Sequence, residues 1–568
     1  MIYFAGKMDE FYRRLGDRGL LLGLFVAGFF LHFMFSLRMN LPSVYPEEFA
    51  VAAKSAYFSG FGSAGWDSSV GWLTAALYTP FYYLINEPVI RYRSMLVLNG
   101  FIAALIPLLT YKITAGLGLE KAWQRTLCAI VSGAGAGAFA YSKFTWSETL
   151  CVFFPFVLVW LFIKAAGVKF PVLRVLLSLF AALVCALLPA ADSRLWGLVV
   201  IYILTVILSK YILKVKSFSV AVFLPSFAAC TLAQVYAGQR LTGGTLLSAA
   251  PQNAEIGTYL SALLGRFYYF AASTWGLAVI GAYLCVTVLS EAFRSARSKN
   301  KKTENLPQSL FFAAFALFTL TFNLITLFIP PPAHEAGQQA YIFGRYIDSS
   351  VPLMLVFVLC YVFMHGLDLK KLLHSAIISV AVFMLFFAFT VPVMTDADLL
   401  GTHSIQGLSP LRLGQAQGAP FTQENLFFTV SAVFCFMALF VVFICNAERY
   451  RRHMISLCAG LVLIYSCLHS ALVYLPFEAE RAQREYAGAY AVSERIYNSS
   501  AAPPTYVLGI DDEFTSVLRF LNRNAVIYTA DSADELPEDC FVITLGGDGQ
   551  AAFAVMGEKA EAYVISQK

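Results

Sequence analysis

The chain has 568 residues, 59% of them hydrophobic and 13% charged, against roughly half and about a quarter in soluble globular domains. That balance excludes an ordinary soluble protein and points to a polytopic membrane protein. The net charge of +5 does not mark a nucleic-acid partner, because the basic residues fall in short clusters between apolar stretches, as orienting charges do.

The N-terminus carries basic residues and then an apolar run without a small-residue cleavage site, so it reads as a retained first span. Apolar segments of bilayer-crossing length, about 17 to 25 residues, centre near residues 28, 104, 132, 157, 180, 203, 227, 280, 319, 358, 383, 436 and 464. They predict about thirteen transmembrane helices. Every second loop is basic, from Arg13, Arg14 and Arg18 through Lys121 and Arg125, Lys169 and Arg174, Lys214 and Lys216, Arg297 and Lys301, and Lys370 and Lys371 to Arg451 and Arg452. The positive-inside rule makes those loops and the N-terminus cytoplasmic, and an odd number of spans places the C-terminus outside. Of the 11 Cys, only Cys540 lies away from apolar segments or their ends, and no CxxC pair occurs. Neither a disulfide framework nor a zinc site is indicated.

The outer loops, at residues 38–92, 142–148, 190–194, 237–266, 330–349 and 393–424, are longer and carry isolated charges. Long ordered loops usually carry function. The first holds two runs, Phe49 to Phe58 and Val70 to Ile85, that read as helices lying in the interface plane. After Phe477 the composition changes. A polar helical stretch from Glu478 to Tyr497 leads into short β-rich runs at Tyr506 to Leu508, Ala525 to Tyr528, Phe541 to Leu545 and Tyr563 to Ile565, with a helix over Glu513 to Asn522. The chain therefore divides into a membrane domain over 1–476 and a small extracytoplasmic α/β domain over 477–568.

The stretch Tyr45-Pro46-Glu47-Glu48 opens the first outer loop. Pro46 suits the first position of a helix, and acids in a first turn favour the positive end of the helix dipole by about 0.3 to 1 kcal/mol. Acids this close to hydrocarbon also commonly face a cavity, a metal or a substrate. Glu148, in Phe144-Thr145-Trp146-Ser147-Glu148, is either an N-terminal acid on a helix capped by Thr145 or Ser147 or a third carboxylate on the same membrane face. Converging carboxylates there can deprotonate a hydroxyl or hold a divalent cation such as Mg or Mn, but three acids on two loops define no coordination shell. Three arginines share that face: Arg345 in Gly344-Arg345-Tyr346, Arg194 after Asp192-Ser193, and Arg266. An Arg fork suits a phosphate, and each arginine also fits an interface anchor beside Tyr or Trp. Arg91 and Arg93 read as anchors.

Other signals are weaker. Gly133-Ala134-Gly135-Ala136-Gly137 lacks the Lys-Ser/Thr of a phosphate loop and reads as small residues permitting close helix packing. His334-Glu335 has no second His at zinc-protease spacing, and Asn498-Ser499-Ser500 is a formal glycosylation acceptor. Asp511-Asp512-Glu513 reads as the cap of the following helix.

The order and spacing of these features resemble the GT-C membrane glycosyltransferases, among them protein mannosyltransferase and lipid A aminoarabinose transferase relatives that use polyprenyl-phosphate sugars. The residues that carry the resemblance are Pro46-Glu47-Glu48, Tyr78-Thr79-Pro80-Phe81-Tyr82-Tyr83, Asn99, Thr145-Trp146-Ser147-Glu148 and Gly344-Arg345-Tyr346, spread over the first 350 residues. The resemblance implies a GT-C-like polytopic α-helical membrane fold in the cell membrane. It also implies an inverting transfer from a polyprenyl-phosphate sugar to a glycan, lipid or protein acceptor of the cell envelope. In its terms Glu47 is the favoured base, Glu48 the competing one and Glu148 the supporting acid. Arg345, Arg194 and Arg266 are the candidates for the donor phosphate, and Tyr45, Tyr78, Tyr82, Tyr83 and Tyr346 for the substrate pocket. The chain departs from the family where Glu47 replaces the usual Asp and where the basic residue before the Pro-Pro run is absent. The alternative from a different class is a polytopic transporter or lipid-carrier flippase, against which stand the lack of an inverted repeat and the few ionisable residues in mid-span.

Overall fold

The computed structural model describes residues 2–43, 45–61, 71–215, 217–242, 256–297, 306–329, 341–394, 405–412, 422–446 and 451–487, with shorter stretches beyond (489–490, 493, 505–508, 512–523, 527–530, 532, 535, 540–545, 551–556 and 562–564). The expected loop segments at 62–70, 243–255, 330–340, 395–404 and 413–421 lie outside the described residues. So do His334-Glu335, Asn498-Ser499-Ser500, Lys216, Lys301, Asp511 and Ile565.

Eleven described helices are long and apolar enough to cross a membrane. The first is α1 (Ile2–Ser36), kinked at Gly16. Two short helices follow, α2 (Pro46–Phe58) and α3 (Trp72–Leu84), matching the two expected interfacial runs. Then come α4 (Pro88–Gly116), the half-helices α5 (Ala122–Gly133) and α6 (Ala136–Tyr141), α7 (Glu148–Gly167), α8 (Pro171–Ala191), α9 (Trp196–Tyr211) and α10 (Val220–Thr242). Beyond them lie α11 (Ile256–Ala272), α12 (Leu277–Arg297), α13 (Leu306–Phe328), the single turn α14 (Arg345–Asp348), α15 (Val351–His365), α16 (Leu369–Leu385), α17 (Gln423–Asn446), α18 (Arg451–His469) and α19 (Leu475–Glu485).

Two expected spans take other forms. The segment near 132 is broken between Gly133 and Ala136, and the segment near 358 is α15, only 15 residues long. In α15 no polar face interrupts Val351 to Phe363. All of that stretch is buried, as expected of a helix apolar all round, and it packs against α5, α12 and α13. The Gly-Ala run does not serve close helix packing throughout. At Gly137 the space a Cβ would need holds the Asp348 carboxylate, 2.0 Å away. The 237–266 stretch, expected as a loop, contains most of α11.

The C-terminal part forms a five-stranded sheet of order β2-β1-β3-β4-β5. Its strands are β1 (Thr505–Leu508), β2 (Ile527–Ala530), β3 (Cys540–Leu545), β4 (Ala551–Met556) and β5 (Ala562–Val564), with α20 (Asp512–Leu521) between the first two. β1 pairs in parallel with β2 and β3, and β4 is antiparallel to its neighbours. β4 was not expected. Its Ala-rich sequence has little β propensity, and pairing supplies what propensity does not. α20 packs against α2, and Phe49, Tyr82, Tyr92, Leu518, Phe520 and Ile543 belong to one buried apolar cluster. Arg91 is no interface anchor. It is fully buried, with its guanidinium 4.6 Å from the Tyr82 ring centre and 5.1 Å from that of Phe520.

Candidate functional site

The site begins where the chain leaves α1 and turns into α2. Pro46 occupies the first helical position with Glu47 and Glu48 in the first turn, so the helix-dipole reading holds locally. The two carboxylates then diverge. Glu48 is fully buried. It accepts from the backbone N–H of Ser43, from Thr145 N at 2.5 Å and Oγ1 at 2.9 Å, and from the Tyr92 hydroxyl at 3.1 Å. Burial pushes its carboxyl above the ordinary value, and the donors from Ser43 and Thr145 pull it back part of the way. All four donors are neutral groups, and together they tie three chain segments to one side chain.

Glu47 keeps 38% side-chain exposure and accepts from Arg345 Nη1 at 2.9 Å. Arg345 Nε donates to Glu148 Oε1 at 2.5 Å, and the same oxygen accepts from Arg194 Nη2 at 2.9 Å. Arg194 in turn grips Asp192 through Nε (2.7 Å) and Nη2, and Ser147 Oγ donates to Asp192 at 2.5 Å. The result is an alternating chain of carboxylate and guanidinium, Glu47, Arg345, Glu148, Arg194, Asp192, assembled from the starts of α2, α7, α9 and α14. Burial works against the charge of Arg345, but Glu148 and Glu47 hold its pKa above the usual range. Burial likewise raises Asp192, and Arg194 outweighs it, leaving the carboxyl below its ordinary value. Ser147 precedes α7 without capping it by its side chain, and Thr145 spends its hydroxyl on Glu48, so the expected capping box does not form.

Aromatic faces complete the guanidinium positions. The Arg345 carbon lies 4.0 Å from the Trp146 ring centre and that of Arg194 4.2 Å from Tyr346, distances at which cation–π attraction operates. Gly344 is required beside them because the Tyr269 ring sits 2.0 Å from where its Cβ would be. Beside the chain lies a small pocket whose lining includes Glu148, Arg194, Arg345 and Tyr346 together with Leu198, Phe322 and Ile325. Glu148 Oε2 is buried without a partner among the described residues.

Arg266 differs from the other two arginines. It is buried on α11, donates Nη1 to the Leu327 carbonyl at 3.2 Å, and leaves Nε and Nη2 without partners among the described residues. Burial lowers its pKa to about 10, so it remains a cation at neutral pH with donors to spare.

The expected tyrosines separate by place. Tyr346 lines the pocket, and Tyr45 lies against Trp146 at 5.6 Å. Tyr78 donates to Asn99 Oδ1 at 2.6 Å, and Asn99 donates to the Phe144 carbonyl, so this pair braces the 142–147 loop from behind. Tyr82 packs under Arg91, and Tyr83 points away, 69% exposed. Trp146, Asp192 and Asp348 were not singled out from sequence. Asp348, one turn after Arg345, accepts from Tyr269 at 2.7 Å, and burial pushes its carboxyl up to about 7. Among the described residues no three His, Cys, Asp or Glu side chains form a group able to hold a metal ion. The carboxylates Glu47, Glu148 and Asp192 each hold a guanidinium instead.

No protein-family model matches the chain, and no curated protein matches it in sequence. Its structure is similar to the crystal structure of ArnT from Cupriavidus metallidurans bound to undecaprenyl phosphate, with a TM-score of 0.52 and 12% identity over 94% of this chain and 96% of that one. The apo state of the same protein gives a TM-score of 0.50 and 13% identity over 93% of each chain. At such identities the likeness is one of fold, and the polytopic helical fold expected from the sequence is shared with that protein.

Proposed function

We propose that the chain is an inverting glycosyltransferase. It moves a sugar from a polyprenyl-phosphate carrier to a glycan, lipid or protein acceptor of the cell envelope at the outer membrane face, with Glu47 as general base. The observation that carries this reading is the pocket beside the carboxylate–guanidinium chain, lined by both charged and apolar side chains. A lipid-linked sugar needs both, because its tail stays in hydrocarbon while its headgroup reaches water. The fold shared with a protein crystallised with undecaprenyl phosphate supports the same substrate class.

Glu47 combines exposure with a held orientation, which suits a base that must meet an incoming hydroxyl. It takes the hydroxyl proton as the oxygen attacks the anomeric carbon from the face opposite the phosphate. The bond from that carbon to the phosphate oxygen breaks, and polyprenyl phosphate leaves with the electron pair. A positioned base contributes about 10²- to 10⁴-fold. The departing phosphate gains charge and needs a fixed cation. Arg345 and Arg194 are already committed to carboxylates, and the open donors of Arg266 favour it for that part. Glu148 is the supporting acid, holding both guanidiniums through one oxygen.

Helix polarity supports the outer placement. α7 runs from Glu148 to Lys164 in its last turn, and α9 runs from beside Arg194 to Lys210 in its last turn. Basic residues therefore collect at the end away from the site, which the positive-inside rule assigns to the cytoplasm.

The test is mass-resolved transfer from a panel of polyprenyl-phosphate sugars to envelope acceptors by purified protein, with Glu47→Gln alongside. Transfer by the wild type and its loss in the variant are expected. Movement of labelled carrier lipid across liposomes without donor cleavage would replace this reading by a flippase.

A further inference from the structure

We infer that the C-terminal α/β part is a brace of the catalytic end, in which Phe520 and Tyr486 are positioning residues acting on Glu47 through Glu48. For its activity readout this inference rests on the transferase reading above.

Two threads run from the C-terminal part to the Glu48 carboxylate. In the first, Phe520 on α20 stands edge-on to Tyr92 at 6.1 Å, to Tyr82 at 6.4 Å and to Phe49 at 6.5 Å. Tyr92 then donates its hydroxyl to Glu48. The position of Phe520 is fixed independently, because Arg91 donates to its carbonyl while lying over its ring. Three residues on, Arg523 donates to the Tyr82 and Ile85 carbonyls. In the second thread, Tyr486 at the end of α19 stands edge-on to Phe49 at 5.7 Å and donates its hydroxyl to the Ser43 carbonyl at 3.3 Å. The Ser43 N–H is itself a donor to Glu48. Two of the four groups that hold Glu48 are thus set by residues more than 400 positions later in the chain.

Phe520 packs edge-on against the rings of Tyr92, Phe49 and Tyr82, which come from three different helices. Aromatic pairs of this geometry contribute about 0.5 to 1.5 kcal/mol beyond their burial. Glu48 ties the Ser43 segment, the Thr145 loop and α4 together. It sits one residue from Glu47 and, through Thr145, one residue from Trp146 beneath Arg345. Loosening Phe520 therefore displaces the base and the guanidinium it pairs with, without touching either.

The experiment uses the full-length chain carrying Phe520→Ala, Tyr486→Phe or Tyr92→Phe, with Tyr528→Ala on the exposed sheet surface as control. Carboxyl labelling by a water-soluble carbodiimide, read by peptide mass spectrometry, is the readout that needs no turnover. In the wild type Glu47 labels and Glu48 is protected. In Phe520→Ala Glu48 becomes labelled, while Tyr528→Ala leaves the pattern unchanged. In the transfer assay Phe520→Ala lowers kcat roughly 10- to 10²-fold, the cost of an ångström-scale misplacement, with the donor KM unchanged. Adding Phe520→Ala to Tyr92→Phe costs less than it does alone, since both act through one contact. If Phe520→Ala does not fold, Tyr486→Phe, which removes one hydroxyl and keeps the ring, decides by the same labelling. A folded Phe520→Ala or Tyr486→Phe protein with Glu48 still protected and kcat intact overturns the brace. A wild type that transfers no sugar overturns the transferase reading only, and the labelling then decides the brace by itself.

Discussion

Glu48 is held by two backbone N–H groups and two hydroxyls, whereas Glu47, one residue earlier on the same helical turn, is held by the guanidinium of Arg345. The difference separates two jobs that the sequence presents as one acidic pair. Neutral donors converging from three segments saturate a carboxylate and lock it, and removing that carboxylate orphans each donor at about 1 to 3 kcal/mol. A partly exposed ion pair contributes about 0 to 1 kcal/mol, so Glu47 is cheap for the fold to lose. The donors around each acid thus distinguish a saturated, buried carboxylate from a partly exposed, ion-paired one.

That contrast can be broken or sharpened by experiment. The largest effect is expected for Glu47→Gln: a fall in kcat of roughly 10²- to 10⁴-fold, with the thermal midpoint in detergent close to wild type. If Glu47→Gln kept its rate while a folded Glu48→Gln lost it, the two roles would have to be exchanged. Next comes Glu48→Ala, expected to lower the stability measured by denaturant unfolding by several kcal/mol, since it strands four buried donors. Arg266→Gln should lower kcat/KM for the donor by at least about 10-fold, in line with charge-assisted hydrogen bonds of about 1.5 to 3 kcal/mol. An unchanged kcat/KM would remove Arg266 from the phosphate site.

The smallest effect concerns Asp348, whose carboxyl is raised by burial from its usual value to about 7. A folded pKa above the unfolded one means stabilisation that is full below about pH 4 and lost as pH rises through about 7. Asp348→Asn should flatten this part of the stability profile, read as thermal midpoint against pH. A slope that persists in the variant would assign the titration elsewhere.

Much of this was legible in the sequence where the signal is local. Pro46 before two acids, the aromatic run ending at Leu84 and the apolar segments predicted α2, α3 and most spans, because periodicity and composition act within a window of residues. The β-rich runs predicted four of the five strands. The different surroundings of Glu47 and Glu48 were not legible, since they depend on Thr145, Tyr92 and Arg345 arriving from 44 to 298 residues away. Trp146 and Asp192 were visible as residues but not as partners, because their meaning lies in the guanidiniums above and beside them. Tyr78 and Tyr82 were grouped with the substrate by motif. Tyr78 donates to Asn99, which donates to the Phe144 carbonyl, and Tyr82 packs under Arg91. Arg91 misled for the same reason: beside Tyr92 at a helix start it has the composition of an anchor, and only the fold brings Phe520 over it.

The span of chain between Glu48 and Phe520 also bears on synthesis. Ribosomes extend a chain at about 5 to 20 residues per second, so tens of seconds separate the emergence of Glu48 from that of the ring that steadies Tyr92. For most of that interval Ser43, Tyr92 and Thr145, which supply the donors to Glu48, are already made, while Tyr486 and Phe520, which contact two of them, are not. A nascent chain truncated between Asp348 and α20 would carry all the acids and arginines of the site and still lack the ring proposed to steady them.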